Sequence, residues 1–145
     1  MLSNGMRIVV DTNVFVSAMM SAEGAARHVL RMCLTGRHRP MIGNALLAEY
    51  EDVLSRQELK LAPISDGERR ELFEAFLSMC DWVPIYFLWR PNLPDEADNH
   101  LMELALAGGA GAIVTYNMRD FADSELLFPE VAVLSPRQFL TTGGH

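Results

Sequence analysis

Five short apolar runs alternate along the chain with longer amphipathic segments. The runs are 7–10 (RIVV), 40–43 (PMIG), 82–87 (WVPIYF), 112–115 (AIVT) and 131–134 (VAVL). Short, continuous apolar runs are typical of strands that are buried on both faces, as in a parallel sheet covered by helices. The alternation therefore predicts an α/β fold in which helices cover both faces of a parallel sheet.

The segments between these runs carry helical signals. Residues 24–36 and 44–56 repeat apolar residues every three or four positions, so each forms one apolar helical face. Further helices are predicted over 67–80, 97–108 and 135–140. In the last of these, Ser135 is the expected N-cap and Pro136 the first helical residue. The glycine-rich AGGAGA (107–112) ends a helix before a strand, which favours a helix C-cap over a dinucleotide-binding loop.

Length and composition predict one domain over residues 1–145. A chain of 145 residues, half of them hydrophobic, can bury a core without disulfides or metals. We interpret Cys33 and Cys80 as buried thiols in a reducing compartment. The N-terminal MLSNGMRIVV has no apolar segment long enough for a signal peptide, and no segment approaches membrane-spanning length. We therefore expect a cytoplasmic protein.

The charge balance argues against a broad basic nucleic-acid surface. Nineteen acidic residues face twelve basic ones, giving a formal net charge of −7. The one local basic cluster is Arg27, Arg31, Arg37, His38 and Arg39. A solvated helix face is the favoured interpretation of this cluster, and an RNA path is the alternative.

Several polar residues are expected at one edge of the sheet. In parallel α/β folds, ligands bind beyond the carboxyl ends of the strands, where the strand order reverses. Asp11 ends the first strand, and Glu49 lies one to two turns into the helix after the second. Asp95 and Asp98 open the helix before the fourth strand, and Asn117 follows that strand. The predicted topology brings all five to the same edge.

Each of these residues also has a purely structural interpretation. Asp11 could cap a short helix starting near Val14, and Asp95 and Asp98 could form the N-cap and capping box of their helix. Glu49 could belong to a solvated face, and Asn117 could begin a turn. Taken together, however, converging carboxylates with few cationic partners would have to be protonated unless a metal ion compensates their charge.

Oxygen ligands favour a hard cation, Mg²⁺ or Mn²⁺, over zinc. Carboxylate sites of this kind suit phosphate chemistry. The four histidines, His28, His38, His100 and His145, are scattered, and we interpret all of them as surface or satisfied residues. The chain contains no P-loop motif and no nucleophile elbow.

Four segments together resemble the PIN-domain ribonucleases. They are IVVDTNVF, LLAEYEDVLSR, LPDEADNHLMELALAGGAGAIVTYNMRDF and VAVLSPRQFL, which span nearly the whole chain. Within that family, the sequence is most similar to the VapC-like branch described as toxin components of bacterial toxin–antitoxin pairs. The resemblance implies a three-layer α/β/α fold around a parallel sheet of about five strands in the order 3-2-1-4-5. It also implies cleavage of single-stranded RNA with Mg²⁺ or Mn²⁺, a homodimer, and neutralisation by an antitoxin.

The resemblance also assigns site residues by position. Asp11, Glu49 and Asp98 match the acidic metal ligands, and Asn117 stands where many PIN domains have a fourth acid. The accessory residues are Asp95, Asp120, Thr12, Asn13 and Thr115. Because Asn117 is a neutral amide, the resemblance leaves open whether a second metal ion binds and whether activity is full.

Two other functions remain open from the sequence. One is a catalytically inactive PIN-like module that binds RNA or a protein partner. The other is a phosphatase with Asp11 as covalent nucleophile, although that chemistry usually has a second aspartate at the position that Asn13 occupies.

Overall fold

A five-stranded parallel sheet forms the centre of the protein. The computed structural model describes residues 5–56, 63–84, 96–121 and 128–142, with only the backbone of 96–99. The strands are β1 (Arg7–Val10), β2 (Arg39–Ile42), β3 (Asp81–Trp82), β4 (Ala112–Val114) and β5 (Ala132–Leu134). All pair in parallel, in the order β3-β2-β1-β4-β5. This order confirms the one that the sequence resemblance implied.

In the described parts of the chain, six α-helices connect and cover the strands. They are α1 (Thr12–Met20), α2 (Ala25–Leu34), α3 (Asn44–Leu54), α4 (Asp66–Met79), α5 (Glu96–Gly108) and α6 (Pro136–Thr142), and a 3₁₀ helix spans Met118–Phe121. Helix α5 packs on β1, β2 and β4, whereas α2 packs against α1, α4 and α6. The predicted α/β/α arrangement is confirmed. Within the described parts of the chain, no helix is both long and apolar enough to cross a bilayer.

Helix α1 is the main element that the sequence pattern did not predict. Its sequence TNVFVSAMM is apolar on most sides and contains two valines and a threonine, which lower helix propensity. Tertiary packing outweighs that preference, because Val14, Phe15, Ala18 and Met19 are all buried. Strand β3 is also shorter than predicted within the described residues, and residues 85–87 of the predicted run lie outside them.

Local capping fixes the helix ends that the sequence predicted. The Ser135 hydroxyl accepts a hydrogen bond from the Gln138 amide, and Pro136 is the first residue of α6. Gly109, directly after α5, has a φ of +69°, a conformation that glycine adopts without steric cost. A capping box that we did not predict, formed by Ser65 and Glu68, begins α4.

An aromatic cluster packs the core beneath the carboxyl edge of the sheet. The Phe15 ring lies 5.4 Å from that of Tyr50 and 5.3 Å from that of Phe76, centroid to centroid, and Tyr50 stacks on Phe73 at 5.6 Å. Tyr50 is fully buried, and its hydroxyl donates a 2.7 Å hydrogen bond to the carbonyl of Val10. This bond joins α3 to the residue before Asp11.

Most of the basic cluster at residues 27–39 makes structural contacts. Arg27 and Arg31 donate hydrogen bonds to backbone carbonyls of Ala18 and Ala22. Arg39 pairs with Asp81 at the amino end of the strands, which is the edge opposite Asp11. These contacts favour a structural role for the cluster over an RNA path.

We predict that Tyr50→Phe destabilises the protein by about 1–3 kcal/mol, because it removes the buried hydrogen bond to the Val10 carbonyl and leaves the ring packing intact. The expected fall in melting temperature is about 2–4 °C per kcal/mol for a chain of this size. Tyr116→Phe is the matched control, because the Tyr116 hydroxyl bonds at an exposed position. Equal melting temperatures for wild type and Tyr50→Phe would contradict the prediction.

Candidate active site

The strand order reverses between β1 and β4, and Asp11 lies at this switch point. From β1 the chain crosses to β2 and β3 on one side, whereas β4 continues to β5 on the other. The Asp11 amide donates to the Val114 carbonyl at 3.0 Å, so its backbone extends the β1–β4 pairing. Its carbonyl accepts from the Val14 amide in the first turn of α1. Asp11 is only 5% exposed.

The two carboxylate oxygens of Asp11 have different surroundings. Oδ2 accepts hydrogen bonds from the Thr115 hydroxyl at 2.8 Å and from the Asn13 side-chain amide at 3.3 Å. Among the described side chains, Oδ1 has a 3.5 Å contact with the Thr12 hydroxyl, and the Thr12 backbone amide also hydrogen-bonds the carboxylate. Asp11 occupies the N-cap position of α1, yet its side chain makes no capping hydrogen bond. The capping interpretation therefore does not explain this buried carboxylate.

Glu49 shares the Thr12 hydroxyl with Asp11. Thr12 Oγ1 lies 3.0 Å from Glu49 Oε1, and the other oxygen of Glu49 lies 3.2 Å from His100 Nε2. A hydroxyl has a single proton to donate, so the shorter contact with Glu49 takes it. Among the four carboxylate oxygens of Asp11 and Glu49, Asp11 Oδ1 consequently has the weakest side-chain hydrogen bonding.

The pKa values of Asp11 and Glu49 are shifted by burial and by the charged and hydrogen-bonding groups around them. Burial is the main cause that raises the pKa of Asp11 above its usual value, with the charge of Glu49 acting in the same direction; the Thr115 hydrogen bond partly opposes both. The pKa of Glu49 is lowered, chiefly by its hydrogen bond with His100. Among the described residues, no lysine or arginine forms an ion pair with Asp11. Asp11 is therefore a buried acid without a lysine or arginine partner in the described parts of the chain, and the charge of His100 adds a smaller effect that lowers its pKa.

Thr115 connects Asp11 to the segment after β4. Its buried hydroxyl also accepts hydrogen bonds from the Asn117 backbone amide at 3.0 Å and from the Asn13 amide at 3.4 Å. The Asn117 side chain is exposed. The backbone carbonyl of Asn117 accepts a hydrogen bond from the Asp120 backbone amide in the 3₁₀ helix. The Thr115 hydroxyl thus links the Asn117 backbone amide to the Asp11 carboxylate, while the Asn117 side chain is exposed to solvent.

Asp98 lies in the first turn of α5, which begins at Glu96. Two residues later, His100 reaches Glu49, so the start of α5 is at the same edge as Asp11. Asp95 lies outside the described residues, as does the Asp98 side chain. Among the groups the structure does describe, no cluster of three or more His, Cys, Asp or Glu side chains could hold a metal ion.

His100 corrects our interpretation of all four histidines as surface or satisfied residues. Its Nε2 faces Glu49, and its Nδ1 is buried with no hydrogen-bond partner in the described parts of the chain. The sequence offered one signal for it, because His100 follows Asp98 by two residues. The contact with Glu49, 51 positions away, required the fold.

The two cysteines fit their predicted inert role. Burial raises the pKa of both Cys33 and Cys80 to about 12, so the thiols stay protonated at neutral pH. A thiolate nucleophile is therefore not available at either position.

The comparisons with known proteins agree with this fold. The family model described as "PIN domain" matches residues 7–119, and the chain belongs to the PIN-domain family. Family members are generally nucleases, which supports a hydrolase. No curated protein matches the sequence significantly.

One solved structure shares the fold over most of its length. VapBC2 from Rickettsia felis, bound to a DNA fragment from its promoter, matches with a TM-score of 0.56 and 17% sequence identity. The match covers 88% of this chain and 97% of the VapBC2 chain. At that identity the likeness establishes the fold.

We predict that Asp11→Asn stabilises the metal-free protein at neutral pH. Because folding raises the pKa of Asp11, the folded state holds that proton more tightly than the unfolded chain does. The stabilisation that the protonated Asp11 carboxyl contributes is therefore fully present below its ordinary pKa of 3.8. It is lost as the pH rises through the raised pKa of the folded state. The introduced asparagine stays neutral throughout, so the melting-temperature difference between variant and wild type should grow with pH across this window.

Thermal unfolding in chelator from pH 3 to pH 8 measures the difference. Asp52→Asn, which removes an exposed carboxylate from α3, is the control variant measured under the same conditions. A constant difference between Asp11→Asn and wild type at every pH would show that folding does not shift the Asp11 pKa.

Proposed function

We propose that the protein is a Mg²⁺- or Mn²⁺-dependent endoribonuclease that cleaves single-stranded RNA, and that it is the toxin component of a toxin–antitoxin pair. One observation carries the proposal: Asp11 Oδ1 is an under-bonded carboxylate oxygen at the switch point of the sheet. Burial without a lysine or arginine partner among the described residues makes a metal cation the natural counter-charge. Membership of the PIN-domain family supports nuclease chemistry.

The donor set fits a hard cation. Asp11 and Glu49 contribute carboxylate oxygens on either side of Thr12, and Mg²⁺ and Mn²⁺ prefer oxygen ligands. In the proposal, Asp98 supplies a third carboxylate from the start of α5, and Asn117 a neutral oxygen. Asp95 and Asp120 are accessory acids. Thr12, Asn13 and Thr115 orient the ligands by hydrogen bonding.

In the proposed hydrolysis of a phosphodiester, the residues around Asp11 and Glu49 hold these two carboxylates in place. A bound divalent ion supplies Lewis-acid stabilisation and lowers the pKa of water in such sites. Thr115 and Asn13 hold Asp11 Oδ2, which fixes the carboxylate plane and leaves Oδ1 directed away from these donors. His100 and Thr12 fix both oxygens of Glu49. The site is therefore built on strand and helix ends whose side chains are held in place before substrate arrives.

The proposed partners follow from the family and from the matched structure. The matched structure is that of VapBC2 bound to a DNA fragment from its promoter, and we propose an antitoxin protein as a partner of this chain. We also propose a homodimer and a cytoplasmic location. Light scattering that gives the monomer mass at every micromolar concentration would contradict the homodimer.

The test of function combines metal binding and RNA cleavage. Wild type should bind Mn²⁺ in calorimetry and cleave unstructured RNA only when the divalent ion is present. Asp11→Asn should lose both activities and keep its fold, because it removes the charge of a central ligand. Asp52→Asn, an exposed acid three residues beyond Glu49 and paired with Arg56, should behave as wild type.

The outcomes separate the competing functions. Mn²⁺ binding without cleavage, or RNA binding without either, would favour a catalytically inactive module. An acyl-phosphate trapped on Asp11 would favour a phosphatase. Cleavage by Asp11→Asn at the wild-type rate would remove Asp11 from the proposed mechanism.

We predict that Asn117→Asp increases Mn²⁺ occupancy. Position 117 lies next to Thr115 and has an exposed side chain, so a carboxylate there adds a charged oxygen without a burial cost. Hard cations bind charged oxygens more strongly than neutral ones, so cleavage at low Mn²⁺ should also rise. Parallel Mn²⁺ titrations by calorimetry measure the effect, with Asn44→Asp at the start of α3 as a charge-matched control. Identical isotherms for Asn117→Asp and wild type would exclude Asn117 from the site.

A further inference from the structure

An acidic protein that binds RNA needs interactions other than a broad basic surface. The net charge is −7, and the Arg7, Arg39 and Asp81 ion-pair network lies at the edge opposite Asp11. Stacking of bases on aromatic rings is the other common source of affinity for single strands, and it tolerates any sequence. An exposed aromatic ring close to Asp11 is therefore informative.

Tyr116 is such a ring. It directly follows Thr115, the residue that holds Asp11, and it is 48% exposed. Its backbone amide donates to Asn13 Oδ1 at 3.3 Å, and its hydroxyl lies 3.3 Å from the hydroxyl of Ser17. Asn13 and Ser17 are four residues apart on α1, which is about 6 Å along the helix axis. Tyr116 is thus held against the first two turns of α1 by its backbone amide at one end and by its hydroxyl at the other.

We propose that Tyr116 is a stacking platform for an unpaired base of the RNA substrate, next to the phosphate that is cleaved. The proposal deepens the function proposed above and depends on it. A ring whose position is fixed before binding loses little conformational freedom when a base stacks on it.

Exposed aromatic residues are common, and exposure by itself indicates nothing. Two features distinguish Tyr116. Its hydroxyl and its backbone amide are both held by α1, and the same short segment, from Thr115 to Asn117, holds Asp11 through the Thr115 hydroxyl. A base on this ring would therefore be positioned by the same segment that fixes the carboxylate.

Fluorescence anisotropy of a labelled, unstructured RNA of about ten nucleotides tests the proposal. The parent protein is Asp11→Asn, in which the proposed function predicts no cleavage. Adding Tyr116→Leu removes the ring and keeps an apolar side chain, and we expect about 10- to 100-fold weaker binding. Adding Tyr116→Phe keeps the ring and should change affinity by less than about threefold. Trp82→Leu, which removes a comparably exposed aromatic ring from β3, two strands away from β1, should have no effect.

An RNA with abasic nucleotides in place of its central bases completes the test. Its binding should be weaker for the parent, and the penalty of Tyr116→Leu should shrink, because no base remains to stack. Equal affinities of the parent and Tyr116→Leu for intact RNA would overturn the platform. Equal losses in Tyr116→Leu and Tyr116→Phe, or an undiminished penalty on abasic RNA, would also overturn it.

The two proposals fail in different ways. If wild type neither binds Mn²⁺ nor cleaves RNA, and the parent does not bind RNA, the proposed function and the platform are both wrong. If wild type cleaves RNA and the Tyr116 variants bind as the parent does, only the platform is wrong. Equal affinities for single-stranded DNA and RNA would support stacking, because DNA and RNA bases present the same ring faces. Any preference for RNA would then come from contacts other than Tyr116.

Discussion

The hydrogen bond between the Thr115 hydroxyl and Asp11 Oδ2 is the interaction on which the site depends. It joins the ends of β1 and β4 at the one point where the sheet reverses its order, and it keeps a buried carboxylate in a fixed plane. Burial makes the Asp11 charge energetically costly, and it also makes that charge useful, because a carboxylate removed from water attracts a cation. The surrounding hydroxyl and amide groups then determine which of its oxygens remains under-bonded.

The sheet was predictable because its signals are local. Each apolar run is short and continuous, and the strand order followed from the resemblance to the PIN-domain family. Helix α1 was raised only as an alternative, a short helix near Val14 that Asp11 could cap. The periodic stripe that identifies an amphipathic helix is absent from a segment buried on most sides, such as that around Val14 and Phe15. Its helical form depends on α2 and α3, which a local pattern does not contain.

The sequence located the edge at which the candidate residues meet, but not how they contact one another. Asp11 and Glu49 were expected to be neighbours from topology alone. Two contacts depend on the directions in which side chains leave α1, α3 and α5. One is the Thr12 hydroxyl shared by Asp11 and Glu49, and the other is the contact of His100 with Glu49. Those directions are set by packing between elements far apart in the sequence. Sequence reasoning therefore identified the residue types and the location, and the three-dimensional contacts distinguished one carboxylate oxygen from another.

The separation of Asp11 and Thr115 along the chain has a consequence for synthesis. They are 104 residues apart, and the central strand β1 has β4 as one of its two neighbours. A nascent chain that has emerged only as far as α5 has Asp11 without Thr115 and β1 with one open side. Because chains are made from the N-terminus at a limited rate, the carboxylate arrangement forms only after β4 and Thr115 have been synthesised. A ribosome-bound fragment ending before β4 is thus without the completed site.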